Sequence, residues 1–132
     1  MRLIQIVYAS RPFGFDAATL NQILDVSRAN NVRDGLTGAL ICRADLYIQL
    51  LEGPEAAVDA TLARIEGDDR HLEISHLVRE LITERLFPGW AMRDDPARSW
   101  MWTQTEVAGG AIERATRSEV LGVFARLTAE LD

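Results

Sequence analysis

Five polar or oxidisable side chains are distributed over the apolar parts of this chain, and their chemistry is the most informative feature of the sequence. They are Tyr8, Asn31, Gln49, Trp90 and Met92. Gln49 lies inside the apolar run Leu46–Leu51, where its amide is expected to be buried and must then find hydrogen-bond partners. An amide with two donors and two acceptors in a core is either a structural clamp or a group that binds a polar ligand.

Conventional catalytic and metal-binding motifs are not indicated. His71 and His76 have no cysteine cluster beside them, and the single cysteine, Cys42, lies in an apolar strand as a small buried residue would. Neither a Gly-x-Ser-x-Gly motif nor a glycine-rich phosphate-binding loop is present. The carboxylate pair Asp68-Asp69 is typical of a solvated loop. We therefore expect the chain not to be an enzyme.

Composition narrows the possible partners and location. The 132 residues are 48% apolar and 26% charged, which suits one soluble domain with a core that needs no disulfides. A formal net charge of -6 argues against nucleic acid or an anionic membrane as a partner. No segment approaches membrane-spanning length and the first apolar run is too short for a signal peptide, so we expect a cytoplasmic protein.

Hydrophobic periodicity predicts the elements that position these side chains. The expected elements are a strand Leu3–Ser10, a helix from Ala17 to about Asn30 that Asn30-Asn31 ends, a hairpin over Gly35–Gly53, a second helix after Gly53-Pro54 and a strand Glu73–Ile82. After Pro88-Gly89 we expect a brief strand, Trp90–Arg93, and then a helix over Ala111–Leu131. This order predicts an α+β, ferredoxin-like βαββαββ sandwich with a C-terminal helical extension.

The sandwich leaves one sheet face open, because both of its helices lie on the other face. The C-terminal helix carries an apolar stripe, Val120, Phe124, Leu127 and Leu131, that must be covered by the sheet or by a partner subunit. We therefore expect a domain over residues 1–95 and an extension over residues 96–132.

The order and separations of several short motifs resemble the BLUF family, blue-light sensors that bind a flavin, over roughly Leu3 to Arg93. The motifs are Tyr8 with Ser10, Asn30-Asn31 ahead of Leu36-Thr37-Gly38, Gln49 in Tyr47-Ile48-Gln49-Leu50-Leu51-Glu52-Gly53, Arg64 four residues before Asp68 and its continuation Asp69-Arg70-His71, and Phe87-Pro88-Gly89-Trp90-Ala91-Met92. Each motif alone is weak, and their combination is specific.

The resemblance implies a flavin, FAD with FMN as the alternative, whose isoalloxazine ring lies between the two helices of the sandwich. Asn31 would bind the pyrimidine edge, Gln49 would lie between that edge and the phenol of Tyr8, and Arg64 and Asp68 would lie near the other carbonyl and N1. The implied cofactor-binding set is Tyr8, Ser27, Asn30, Asn31, Gln49, Arg64, Asp68 and Met92.

The resemblance also implies a photochemical mechanism. Tyr8 would give an electron and then a proton, and Gln49 would relay the proton and return in a changed hydrogen-bond arrangement, by rotation or by tautomerisation. Trp90 and Met92 would pass this change outward. Because no effector domain follows in this sequence, it is similar to the short stand-alone members, which signal through a partner protein or by changing assembly, and a homo-oligomer is expected.

The sequence departs from the family at Ala9, where many relatives carry arginine, and at Tyr47, which replaces the usual phenylalanine and is expected on an exposed face.

Two other functions remain open. One is a flavin-free regulatory or interaction module with Gln49 as a structural clamp. The other is an acylphosphatase-like hydrolase that pairs Arg11 with Asn31, although the loop Ser10–Gly14 lacks the repeated glycines needed to bind phosphate.

Overall fold

The secondary structure follows the predicted order of elements. The computed structural model describes residues 2–12, 17–67, 71–89, 92–96 and 100–129. Its elements are β1 Leu3–Pro12, α1 Ala17–Asp34, β2 Thr37–Arg43, β3 Leu46–Pro54, α2 Glu55–Glu66, β4 His71–Ile82, β5 Arg93–Pro96, α3 Gln104–Ala108 and α4 Arg117–Ala129. The predicted βαββαββ order is confirmed, and two helices follow it.

The strands form one five-stranded sheet in the order β4-β1-β3-β2-β5. β1 pairs antiparallel with β3 and with β4, and β2 pairs antiparallel with β3. These four strands have the ferredoxin-like arrangement that the sequence predicted. β5 lies parallel to β2 and ends the sheet on that side.

Alternation along the strands divides the core into two apolar clusters on opposite faces of the sheet. One cluster lies under α1 and α2, and its buried members are Ile4, Ile6, Leu24, Leu36, Leu40, Tyr47, Leu51, Val58 and Met92. The other cluster lies under the C-terminal helices, with the α4 residues Val120, Phe124 and Leu127 packed beside Val7, Ile41, Ile48 and Leu50. The central strand β3 is therefore buried on both faces.

The first helix is longer than predicted. It continues through Asn30 and Asn31 to Asp34, so these asparagines lie within its last turns and do not end it. Gly35 ends the helix, because it adopts a left-handed conformation (φ +73°) that costs glycine little. The N–H of Leu36 then donates to the carbonyl of Asn31 at 2.9 Å, which completes a Schellman motif.

The C-terminal part differs from the prediction in two places. The last helix, expected from Ala111, begins at Arg117, because Thr116 and Glu119 form a capping box in which each backbone N–H donates to the other's side chain at 3.1 Å. The strand expected at Trp90–Arg93 is β5, Arg93–Pro96, so Met92 precedes it. Trp90 and Leu131 lie outside the described residues.

None of the helices described above has the length and apolar character of a membrane-spanning segment.

Glu52, on β3, is 0% exposed, and its carboxylate accepts hydrogen bonds from the backbone N–H groups of Phe87 at 2.6 Å and Leu86 at 2.8 Å. Burial raises the pKa of the Glu52 carboxyl, against the opposing effect of these bonds and of one from Gln5.

We predict that Gly38→Ala destabilises the fold strongly. A Cβ at Gly38 would lie 1.9 Å from the backbone oxygen of Leu50, which cannot shift because it belongs to the central strand. We therefore expect the free energy of unfolding to fall by about 3 kcal/mol or more. Gly122→Ala is the matched control, because a Cβ there meets nothing within 4 Å. Its free energy of unfolding should rise by about 0.5–1 kcal/mol, since alanine favours the helix α4. Urea unfolding of both variants tests this, and equal stabilities would contradict it.

We also predict a pH dependence of stability from Glu52. Because the pKa of its carboxyl is raised in the folded protein, its contribution to the free energy of unfolding is fully present below about 4.3, the ordinary pKa of glutamate, and is lost as the pH rises through the raised value. The free energy of unfolding of the wild type, minus that of Glu52→Gln, should therefore increase as the pH falls from neutral. Urea titrations at several pH values measure this difference, and a constant or shrinking difference would contradict the prediction.

Candidate functional site

The pairing of β1 with β3 brings Tyr8 and Gln49 together. The two residues lie directly opposite each other in the register of these strands. Their side chains point toward α1 and α2, because Ile6 and Leu51, two residues away on the respective strands, lie in the apolar cluster on that face. Tyr8 is 0% exposed and Gln49 is 4% exposed. A phenol and an amide are thus buried side by side between the sheet and its helices.

The amide of Gln49 is shared between two partners. The Tyr8 hydroxyl donates a hydrogen bond to Oε1 of Gln49. Nε2 of Gln49 donates to the thioether sulfur Sδ of Met92 at 3.3 Å, and sulfur is a weak acceptor. Gln49 therefore connects β1 to the segment that leads into β5, and any change in its orientation changes both bonds.

The backbone of Met92 is held from α1. Nε of Arg28 donates to the carbonyl oxygen of Met92 at 3.0 Å. Arg28 lies one turn from Leu24 and from Asn31, both buried, so it shares their inward face of the helix. The sequence interpretation missed Arg28. Its position on the stripe of inward-facing residues was the one available signal.

The side chain of Asn31 is buried in α1, and its Oδ1 atom can accept a hydrogen bond from a ligand. The residue is 1% exposed and makes other contacts, but its Oδ1 atom is buried and has no hydrogen-bond partner among the described residues. A buried acceptor in this condition is costly unless a ligand supplies a donor. Ser27 and Asn30, half-buried on the same helix, lie one turn before Asn31 and directly beside it in sequence.

Arg64 connects the two helices at their ends. Its Nη2 donates to Oγ1 of Thr61 at 3.0 Å within α2 and lies 3.5 Å from a carboxylate oxygen of Asp34, the last residue of α1. The pKa of Asp34 is lowered, chiefly by its hydrogen bond from Arg33. Within the described ranges the partners of Arg64 are Thr61 and Asp34, not Tyr8 or Gln49. Asp68, expected beside Arg64, lies outside the described residues, as does Trp90.

Tyr47 does not lie on an exposed face, as the sequence interpretation expected. It is 1% exposed and belongs to the same apolar cluster as Met92, because it is two residues from Gln49 on a strand that is covered on both faces.

The structure does not support the hydrolase alternative, which pairs Arg11 with Asn31. Arg11 is exposed and forms an ion pair with Glu73 at 3.1 Å, whereas Asn31 is buried.

The donor and acceptor set fits the pyrimidine edge of an isoalloxazine ring. That edge alternates carbonyl acceptors with an N–H donor, and the amides of Asn31 and Gln49 can each donate and accept. The Oδ1 acceptor of Asn31 is available for such an N–H. The phenol of Tyr8, one hydrogen bond further away, supplies an oxidisable group.

Comparison with known proteins gives a family match over most of the chain. A family model described as "BLUF: Sensors of blue-light using FAD" matches residues 3–93. Among curated proteins, the photoactivated adenylate cyclase subunit beta of Euglena gracilis is 31% identical over 91 residues, which are 68% of this chain and 10% of that protein. The chain spans about a tenth of the length of the curated relatives it matches.

Two solved structures are similar in fold and sequence. BlrB, a BLUF protein in its dark state, superposes with a TM-score of 0.79 at 30% identity, over 99% of this chain and 98% of BlrB. Klebsiella pneumoniae BlrP1, solved with FMN and cyclic diGMP, gives a TM-score of 0.68 at 27% identity, over 85% of this chain and 30% of that chain.

Proposed function

The chain belongs to the BLUF family of blue-light sensors, and we propose that it is a photoreceptor that holds a flavin between α1 and α2 and responds through the amide of Gln49. The observation that carries this proposal is the double role of that amide, which accepts from Tyr8 and donates to Met92. A purely structural clamp needs two partners of any kind. A light switch needs one partner that can be oxidised and one that can move. In this proposal the phenol of Tyr8 is the first and the side chain of Met92 is the second.

We propose that Asn31 and Gln49 bind the pyrimidine edge of the ring, with the Oδ1 atom of Asn31 accepting from its N–H. Ser27, Asn30, Arg64, Asp68 and Met92 complete the proposed cofactor-binding set, and Arg64 would have to leave its contacts with Thr61 and Asp34 to reach the ring. FAD is the proposed cofactor, because the family description names FAD. FMN is the alternative, because BlrP1 was solved with it.

The bound flavin would supply the absorption of blue light and, once excited, an acceptor for one electron. Tyr8 is the proposed donor, because it is the phenol hydrogen-bonded to Gln49. Loss of an electron makes a phenol strongly acidic, so its proton would move along the existing hydrogen bond to Oε1 of Gln49. Tyr8 would regain its electron from the flavin and one proton from the Gln49 amide, which would be left in a different arrangement, by rotation or by tautomerisation.

The contact with Met92 would convert this arrangement into a change of backbone position. If Gln49 rotates, Oε1 turns toward Sδ of Met92, and two atoms with lone pairs then face each other where an N–H donated before. The segment before β5 would lose one of its two attachments to the site and keep the one to Arg28. This gives the two-state element that a switch requires. Trp90 is proposed to move with it.

Output through a partner protein or through a change of assembly is part of the proposal. BlrB, a BLUF protein that this chain matches over 98% of its length, supports the role of a sensor. In this proposal residues 1–95 form the flavin-binding domain, in keeping with the family match over residues 3–93. Residues 96–132 form the extension through which a partner or a second copy is contacted.

We predict a reversible spectral shift. The purified protein should show a structured flavin absorption band that moves slightly to the red under blue light and returns in the dark. Tyr8→Phe should abolish the shift because the electron donor is lost, and Gln49→Leu because the relay is lost. Tyr47→Phe is the matched control and should keep the shift, since Tyr47 is a second buried tyrosine on the same face. A yellow protein without a shift would contradict this mechanism, and a colourless one would favour the flavin-free module.

We predict that Met92→Ala keeps the spectral shift but loses the structural response, because Tyr8 and Gln49 remain while the contact to β5 is removed. Hydrogen exchange of the backbone amides, measured in the light and in the dark, should show a difference over residues 93–96 in the wild type and none in this variant. Met101→Ala serves as the control, since Met101 lies in the cluster on the opposite face. An unchanged light-dependent difference in Met92→Ala would exclude Met92 as the relay.

A further inference from the structure

Two side chains hold Met92 from different elements of the fold. Nε2 of Gln49, on β3, donates to the Sδ atom of Met92 at 3.3 Å. Nε of Arg28, on α1, donates to the backbone carbonyl oxygen of Met92 at 3.0 Å. Met92 is 2% exposed, so both attachments lie against the interior of the protein. The side chain and the backbone of this one residue are therefore attached to two different elements.

The bond from Arg28 reaches the chain where β5 begins. The carbonyl of Met92 belongs to the peptide unit that it shares with Arg93, and Arg93 is paired with Ala39 of β2. The start of β5 is thus held by the sheet and by α1 at once. A hydrogen bond from a charged guanidinium is stronger than one from a neutral donor. We therefore expect the backbone of Met92 to stay close to Gln49 even when the bond to its side chain is broken.

α1 is a firm support for this attachment. Leu24 and Asn31 lie one turn before and one turn after Arg28, and they are 3% and 1% exposed. The helix is therefore packed inward on both sides of Arg28. Asn31 is also proposed to bind the pyrimidine edge of the flavin, so one rigid helix would position both the ring and the backbone of Met92.

We propose that Arg28 is a positioning residue that determines how long the light-adapted arrangement lasts. This inference rests on the proposed function, with rotation of Gln49 as the change. After rotation, Oε1 of Gln49 and Sδ of Met92 face each other with their lone pairs. A movement of the Met92 backbone away from Gln49 would relieve this repulsion, and the bond from Arg28 opposes that movement. The repulsion therefore persists and favours the return of Gln49 to the arrangement in which Nε2 donates to Sδ.

Arg28→Met tests this proposal, because methionine keeps a long apolar side chain and removes the donor. The red shift should keep its size, since Tyr8 and Gln49 are unchanged. Dark recovery, followed by absorption, should be at least fivefold slower, because Met92 can then move away from Oε1. Arg28→Lys, whose ammonium group can also donate to the carbonyl, should recover faster than Arg28→Met.

Hydrogen exchange in the dark tests the attachment itself and does not depend on the photochemistry. The backbone amides of residues 93–96 should exchange at least threefold faster in Arg28→Met, because the start of β5 has lost its bond to α1. Faster exchange together with recovery within twofold of the wild type would overturn the proposal.

Arg33→Met is the matched control, because it removes an arginine from the same helix but from an exposed ion pair with Asp34. Its recovery should stay within twofold of the wild type. Met92→Ala provides a second background, since it removes the sulfur and keeps the backbone carbonyl that Arg28 binds. Adding Arg28→Met to Met92→Ala should change recovery by less than twofold. A general loosening of α1 would instead slow recovery equally in both backgrounds, and that result would overturn the proposal.

Met92→Leu replaces Arg28→Met as the test if that variant cannot be purified with flavin. Leucine has no lone pairs, and the bond from Arg28 to the backbone is kept. Recovery should again be at least fivefold slower, and unchanged recovery would overturn the proposal. Failure of the proposed function gives a different result, because the wild type itself would then show no red shift. An incorrect role for Arg28 leaves the shift of the wild type intact.

Discussion

The hydrogen bond between Tyr8 and Gln49 exists only because β1 and β3 pair in one register. Side chains alternate along a strand, so a slip by one residue would turn Gln49 to the opposite face and remove it from Tyr8. The register is set by apolar burial on both faces of β3, where the residues on either side of Gln49 are almost completely buried. The positions of the reactive groups are therefore a property of the core, and the proposed photochemistry needs no flexible loop to assemble it.

The two faces of the sheet make different contacts, and β3 contributes side chains to both faces. Gln49 points toward α1 and α2, and Glu52, three residues later, points toward the C-terminal helices. Each side chain contacts the chain that follows β4, Gln49 at Met92 and Glu52 at Leu86 and Phe87. β3 thus contacts the chain after β4 at two places, from opposite faces of the sheet.

Much of the fold could be predicted from local signals, and the failures have physical reasons. Alternating and helical periodicity gave the order of the elements and the burial of Gln49. The end of α1 was misplaced because asparagine and glycine both stop helices, and here Gly35 does so. Tyr47 was misplaced although it lies two residues from Gln49 and therefore shares its buried face, so alternation along the strand was the signal that could have placed it.

The candidate site was less predictable than the fold. Tyr8, Gln49 and Met92 were singled out, and the structure joins them by hydrogen bonds. The partners that hold Met92 and its segment, Arg28 and Glu52, were not. Their contacts join residues 64 and 34 to 35 positions apart, so the sequence could not indicate which residues they contact. A charge on an otherwise buried stripe or strand was the signal that both shared.

The outer edge of the sheet has a consequence for the behaviour of many copies in solution. β4, twelve residues long, stands at one end of the strand order, and its pairing with β1 shifts register twice. Glu73, His76 and Arg79 are exposed along it. An interrupted, charged edge is a poor template for strands of other molecules, since regular intermolecular ladders require matched spacing and neutral surfaces. Pairing of this edge with a strand of another copy is therefore disfavoured.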